Sequence, residues 1–238
     1  MKVVAIHQPH YFPWLGFLDK MAKSDEFIVL DEVQLTDRSP MVRNKFLELS
    51  GPSRFLSVSV EKKGYREKAT KEIRLSNWTE VASKHQRFLE YNYQRSKGFE
   101  EVMSYVAPIF NERFESLLEL NMATMDAIRR MYSIETPLTM QSTLPYRSDS
   151  KNNLLMLDLS IAAKGDIYLS GRGARAYMDE APFTERGIQV VYQEFQHPVY
   201  AQYRQCEFVP NLSSLDMLFQ CGVREAREIF WENVRHEQ

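Results

Sequence analysis

The apolar run Val3-Val4-Ala5-Ile6 stops abruptly at His7-Gln8-Pro9-His10-Tyr11-Phe12-Pro13-Trp14. Four consecutive apolar residues predict a short buried strand. An ordinary turn bends on Gly, Asn, Asp or Ser, whereas this stretch carries rings, imidazoles, an amide and two prolines, so it reads as a site presented by a strand end. From Trp14 to Lys23 the apolar residues Leu15, Leu18, Met21 and Ala22 recur at helical spacing, and Ser24-Asp25 stops the pattern. Phe27-Ile28-Val29-Leu30 is a second apolar run, ending in Asp31. Two strands joined by a helix pair in parallel with a right-handed crossover. The His7–Pro13 loop and Asp31 then share the carboxyl edge of the sheet, where ligands of open α/β sheets bind.

The pattern breaks at Asp37 to Asn44, which predicts an irregular polar loop folded over the same edge. Phe46–Leu49 and Phe55–Val60 flank the turn residues Ser50-Gly51-Pro52-Ser53 and predict two strands, while Glu61–Thr70 reads as a solvated loop and Ile73–Leu75 as a further short strand. Three- and four-residue apolar intervals predict helices over Thr79–Tyr93, Phe99–Phe110 with a break at Pro108, and Phe114–Tyr132. They form a helical insertion or subdomain at roughly 78–135. Asn152–Ala163 reads as a helix apolar on most sides and deeply packed, closed by Gly165 in the left-handed cap position. The strand Ile167–Ser170, the turn Gly171-Arg172-Gly173, a helix over Ala174–Met178 and the strand Ile188–Phe195 follow. Two helices, Ser213–Gly222 and Val223–Val234, close the chain. Residues 1–238 are thus expected to form one α/β domain with a mainly parallel, Rossmann-like sheet, flanking helices and the helical insertion.

Composition narrows the partners. A length of 238 residues suffices for a full core. A net charge of −2 and a pI near 6.2 supply no field to gather nucleic acid or an anionic membrane. Cys206 and Cys221 read as reduced thiols. The opening apolar run is too short for a signal peptide, and no later run reaches the length of a membrane span. A soluble, cytoplasmic protein is expected.

Several groups offer chemistry. His7 and His10 are three apart, but Pro9 disfavours the helical turn that would let them chelate together, and no third ligand is near in sequence, so no bound metal is expected. A structural histidine pair, or a direct part in substrate binding or proton transfer, remains open. His7 is nearer the strand end. Asp31 is either a turn residue or helix cap, or a carboxylate that orients an imidazole or holds a ligand amine or hydroxyl. Arg38, Arg43 and Asn44 suit a phosphate, since guanidinium offers a planar fork of donors. Ser170-Gly171-Arg172-Gly173 lets backbone N–H groups approach an anion at a helix start. Phe195-Gln196-His197-Pro198-Val199-Tyr200-Ala201-Gln202 repeats the mixture of the opening stretch, and the two loops are expected to face each other across one pocket.

These residues carry a resemblance. Ile6 through Phe17 with Lys20, Asp25 and Asp31-Glu32-Val33-Gln34 is similar to the signature of the WbqC-like family. So are Arg43-Asn44 with Phe46, Trp78 with Lys84-His85, Tyr168–Gly171 with Tyr177, and Phe195 through Gln202 with Pro210, Ser214-Leu215-Asp216 and Leu218-Phe219. The resemblance spans nearly the whole chain and implies a bacterial protein of O-antigen and other surface-polysaccharide biosynthesis. The opening also resembles nucleotidyltransferases and pantothenate synthetases. It departs from them where Trp14-Leu15-Gly16-Phe17 replaces their His-x-Gly-His, which puts nucleotide transfer by that mechanism in doubt.

The function expected is transfer of an acyl or aminoacyl group to the amino group of a nucleotide-linked amino sugar, with no permanently bound cofactor. The activated donor, a thioester or carrier-protein conjugate, is a co-substrate. His7 would take the amine proton with His10 and Asp31 positioning it. Arg43, Asn44 and the Ser170–Gly173 turn would hold phosphates. Gln8, Tyr11, Trp14, Arg38, Tyr177, Gln196, Tyr200 and Gln202 complete the expected binding set. Two other readings stay open: a nucleotidyltransferase or adenylating ligase using a nucleoside triphosphate with magnesium, and a non-catalytic nucleotide-sugar binding protein.

Overall fold

The first strand, β1 (Val3–His7), leads through helix α1 (Leu15–Ala22) to β2 (Glu26–Val29), which pairs with it in parallel, Val4 opposite Glu26 and His7 opposite Val29. The computed structural model describes all residues except Asp37, Ser148, Arg204, Cys206, Glu237 and Gln238, with the side chains of Pro52 and His236 also outside the described set. The expectations for Asp37 and Cys206 therefore lie outside the described residues.

After β2 the chain forms an antiparallel hairpin, β3 (Arg43–Glu48) and β4 (Gly51–Ser57), then helices α2 (Trp78–Tyr93), α3 (Phe99–Asn111) and α4 (Leu117–Tyr132). It rejoins the main sheet with β5 (Leu138–Met140), and α5 (Asn152–Ala162), β6 (Ile167–Ser170), α6 (Ala181–Glu185) and β7 (Gln189–Tyr192) complete that sheet. Helices α7 (Leu215–Cys221) and α8 (Val223–His236) close the chain. The five-stranded sheet has the order β5-β2-β1-β6-β7, with all neighbouring pairs parallel.

This order fixes where a ligand can bind. From β1 the chain builds outward through β2 to β5, then returns to the middle and builds the other way through β6 to β7. The direction reverses between β1 and β6, so the connections leaving their carboxyl ends diverge and open a crevice.

Both faces of the sheet are covered, which explains why its strands read as continuous apolar runs. Ala5, Phe27, Val29 and Leu169 pack in one core with α1, α4, α7 and α8. Val4, Ile6, Ile28, Leu30 and Tyr168 pack in another with α5 and α6.

Several boundaries differ from the sequence expectation for identifiable reasons. Helix α3 continues through Pro108 to Asn111, because a proline in the last turn removes only one intrahelical bond. Ile73–Leu75 forms no named strand; its contacts are isolated bridges from Arg74 to Ser116 and from Leu75 to Val60. Helix α5 is not covered all round: Leu154 is 55% exposed and Ile161, one face-repeat on, is 39% exposed. Its end is a Schellman closure with Lys164, not Gly165, in the left-handed position (φ 56°). The Lys164 N–H bonds to Ile161 and the Gly165 N–H to Ser160, each at 2.9 Å. After β6 the expected helix is a short 3₁₀ segment, Arg172–Ala176. Strand β5 and helix α6 escape the sequence reading because three and five residues are too few to show a period.

Candidate functional site

The segment after β1 has two prolines among its residues and satisfies much of its backbone from outside. Asn44 Nδ2 on β3 donates to the Phe12 carbonyl at 2.6 Å, and the Phe12 N–H donates to Thr124 Oγ1 on α4 at 3.2 Å. The Tyr11 N–H reaches the Pro40 carbonyl at 3.0 Å, and Ser214 Oγ donates to the Pro13 carbonyl at 2.7 Å. Phe12 is held at φ 42°, an unfavourable backbone region for a bulky side chain that persists because these bonds over-determine it.

At the crevice between β1 and β6 two adjoining cavities share His7, Lys20, Gly171 and Gly173. One, about 300 Å³, is also lined by Trp14, Gly16, Phe17, Arg172, Gln193 and Phe195. The other, about 360 Å³, is also lined by Gln8, Leu30, Tyr168, Ser170 and Tyr177, among others. No Asp or Glu is among the described lining residues of either, while Arg172 is a fixed cation of the first. The pair of cavities suits an anionic or neutral polar ligand.

Lys20 is the group that the sequence reading left without a role. Its side chain is buried, Nζ donates to the Ile6 carbonyl at 2.9 Å, and burial pushes the amine down to about 7. An amine at that value is available as free base near neutral pH. The signal in the sequence was a lysine on the apolar side of α1, one turn after Phe17 and adjacent to Met21.

Burial, followed by the nearby Lys20 charge, holds the His7 imidazole neutral, lowered to about 3. His7 Nδ1 lies 3.1 Å from the Gln8 carbonyl oxygen, which can only accept, so Nδ1 carries the hydrogen and Nε2 keeps its lone pair. His10 packs edge-on to His7 with centroids 4.7 Å apart and stacks on Phe17 at 4.6 Å. Burial first, then the neighbouring His7 and Lys20, keep its ring well below the ordinary imidazole value. His10 is a support behind His7 and does not line either cavity.

Glycines 171 and 173 leave space. A Cβ built on either would meet no protein atom within 4 Å. Gly171 has an unexceptional backbone, φ −69° and ψ 145°. The room beside these residues is therefore available to a ligand. The segment that follows is a short 3₁₀ turn and not the helix expected, so little helix dipole supports an anion here, and the fixed charge beside it comes from Arg172. Gln193 is a further lining residue missed in the sequence. Its amide nitrogen donates to the Gly16 carbonyl at 2.7 Å and to Asp19 Oδ2 at 2.6 Å, leaving its carbonyl as the group it can offer a ligand.

Other expected site residues lie elsewhere. Both Asp31 oxygens are taken by Ser142, from its N–H at 2.9 Å and its hydroxyl at 2.6 Å, so this carboxylate anchors the segment after β5 and orients no imidazole. Tyr11 is fully buried with its hydroxyl 2.8 Å from His85 Nδ1. Asn44 holds the opening loop. Arg38 and Arg43 line a third cavity, across Trp14 from the first. Tyr200 and Gln202 point into the interior, where with Tyr93 they donate to the buried Asp216 carboxylate at 2.9 to 3.0 Å. Gln196 is exposed, and its carbonyl accepts from Asn233. The two aromatic loops do meet, but through Trp14 and Phe195, edge to face at 5.4 Å. Apolar Phe195 alone of its loop reaches the cavity, since Tyr200 and Gln202 turn inward to Asp216 and Gln196 is exposed.

Among the described residues no group of three His, Cys, Asp or Glu side chains is placed to hold a metal ion, and no helix is long and apolar enough to cross a membrane.

The chain is similar over 225 residues to the uncharacterized protein Rv1507c of Mycobacterium tuberculosis strain ATCC 25618 / H37Rv. The two are 35% identical, with 93% of this chain and 95% of that protein covered. No solved structure matches it significantly. A family model described as the WbqC-like protein family matches residues 8–228, which contain the hairpin, the helical segment and most of the residues that line the crevice; the chain belongs to the WbqC-like protein family.

Proposed function

We propose that the protein is a cytoplasmic transferase of surface-polysaccharide assembly. It joins an acyl or aminoacyl group from an activated donor to the amino group of a nucleotide-linked amino sugar. The observation that carries this reading is Lys20: a buried amine lowered to about 7, in a cavity whose described lining includes no carboxylate. Amide formation from an amine needs a proton acceptor in its basic form near neutral pH, and a neutral amine supplies one without the repulsion a carboxylate would exert on an anionic nucleotide.

The amino group of the sugar attacks the donor carbonyl. A carbon–nitrogen bond forms, the carbon–sulfur bond of a thioester breaks, and the amine proton passes to Lys20 Nζ and from there to the departing thiolate. His7 Nε2, with its lone pair free, accepts a hydrogen bond from the amine and aims the nitrogen lone pair. This exchanges the roles expected from sequence, because an imidazole lowered to about 3 is too weak a base to take the proton. Arg172 and the space beside Gly171 and Gly173 receive the phosphates, and Tyr177 and Gln8 border the same space.

The test is product formation. Purified protein incubated with an acyl thioester and a nucleotide-linked amino sugar should yield, by mass spectrometry, the N-acylated sugar nucleotide and one equivalent of thiol. Consumption of a nucleoside triphosphate instead, with pyrophosphate released, would replace this reading with an adenylating one.

A further inference from the structure

We propose that the cavity across Trp14 from the crevice, on the outer face of the β3–β4 hairpin, is a second site that binds a nucleoside phosphate. Resting on the transferase reading above, the structure assigns it to the nucleotide end of the activated donor.

The hairpin register builds this surface. Lys45 is opposite Phe55 and Arg43 opposite Ser57, so these side chains emerge on one face, while Asn44, Phe46 and Leu56 turn inward and are buried. The Arg43 guanidinium lies 4.2 Å over the Phe55 ring, and Lys45 Nζ is 5.5 Å from the same ring centre. Arg43 Nε donates to the Arg38 carbonyl at 3.1 Å, which ties the preceding loop to the hairpin. The cavity, about 480 Å³, is lined by Arg38, Arg43 and Lys45 with Trp14, Phe55 and Asn211 among their neighbours.

Three properties point to the ligand. First, no carboxylate is among the described lining residues, and no ion pair among the described residues neutralises Arg38, Arg43 or Lys45. Two cations over one ring repel each other, and a bound anion relieves that repulsion. Second, Phe55 is 45% exposed, with the planar guanidinium of Arg43 stacked on it. An aromatic ring and a guanidinium plane make a stacking platform for a base, whereas inorganic anions need only the charge. Third, Arg38 adopts left-handed backbone (φ 59°), a region uncommon for an arginine and of the kind found at ligand clamps.

The Trp14 indole forms part of the wall of both cavities. Phe195 holds it edge-on, and Gly16 makes room for it: a Cβ there would lie 2.3 Å from the indole. A donor seated by its phosphates at Arg43 and Lys45 extends past one ring to reach Lys20 and His7. Nucleoside phosphate is the shared chemistry of two sources, an adenine-nucleotide thioester donor and the nucleotide-linked sugar itself, and the test separates them.

Coenzyme A and uridine diphosphate are titrated separately into the full-length protein by calorimetry, using wild type, Arg43→Ala, Lys45→Ala, Phe55→Ala and, as a control outside the cavities, Arg224→Ala. Loss of a charge-assisted bond weakens affinity about tenfold or more. The expected result is that coenzyme A binds and that Arg43→Ala and Lys45→Ala each weaken it about tenfold, with Phe55→Ala weakening it severalfold and Arg224→Ala leaving it unchanged. If the same variants weaken uridine diphosphate instead, the nucleoside-phosphate site stands and its source is the sugar nucleotide. If neither probe binds, or neither loses affinity in the three variants while their melting temperatures match wild type, the site is disproved. That result leaves the transferase reading intact wherever amide product still forms. Coenzyme A binding without any amide product would count against the transferase reading alone.

Discussion

Lys20 donates a 2.9 Å hydrogen bond to the carbonyl oxygen of Ile6, which fixes an amine from α1 at the carboxyl end of β1, beside His7. The bond aims a group that burial has made a usable base into the crevice created by the reversal of strand order between β1 and β6.

Holding that amine in the interior costs stability in a pH-dependent way. Its native value of about 7 lies below the ordinary lysine value of 10.5. Between those limits the unfolded chain binds the proton that the native state has released, so wild-type stability rises with pH across that window and the full penalty applies below it. Lys20→Met keeps the volume and removes the charge. The variant should be more stable than wild type, by a margin largest near and below pH 7 and vanishing toward pH 10.5. Urea unfolding at about pH 6 and about pH 9.5 measures the difference, and an equal margin at both would contradict a buried, depressed amine.

Gly171→Val separates folding from binding. Valine accepts φ −69° and ψ 145° readily, and its Cβ meets no protein atom within 4 Å, so the melting temperature should stay within about 2 °C of wild type. The same side chain occupies ligand space, and affinity for the nucleotide-linked sugar should fall about tenfold or more. A stable variant with unchanged affinity would move the ligand away from this turn.

His7→Gln retains an acceptor of similar size. As an orienting contact, His7 should reduce kcat on the order of tenfold when replaced, with the pH dependence of the rate preserved. A pH limb that disappears in this variant would return the proton to His7.

Asn44→Ala tests the scaffold. It removes the donor from the Phe12 carbonyl inside the protein, and leaving such a group unpaired costs roughly 1 to 3 kcal/mol. Chemical denaturation should show that loss. A change within error would mean that another donor takes over the Phe12 carbonyl.

The sheet was legible because its strands are buried on both faces: Val3–Ile6, Phe27–Val29, Ile167–Ser170 and the run around Val190 stand out as apolar segments next to helical spacing. Strand β5 was not, because Leu138, Thr139 and Met140 form a half-buried edge too short to carry a period. The crevice was foreseeable at His7 and Gly171, since parallel crossovers bring both turns to one edge. Asp31, Tyr200 and Gln202 misled because polarity at a strand end or in an aromatic loop is the same whether the partner is a ligand or the interior; Ser142 is far from Asp31 in sequence and Asp216 sits on a later helix, so both partners reveal themselves only in three dimensions. Lys20 was hidden for the converse reason. A lysine in a helix usually reads as a solvated charge, and its place on the apolar side of α1 takes on meaning only once its burial is seen.

The rate of amide formation by Lys20→Met, followed against pH beside wild type with an acyl thioester and a nucleotide-linked amino sugar, tests the central claim most directly. The wild-type rate should climb through an apparent pKa near 7 to a plateau. The variant should be slower by a factor on the order of 10² to 10⁴ and flat across that range, with its affinity for the sugar nucleotide within a few-fold of wild type. A variant that turns over at the wild-type rate with the same pH limb would contradict the account and remove Lys20 from the reaction.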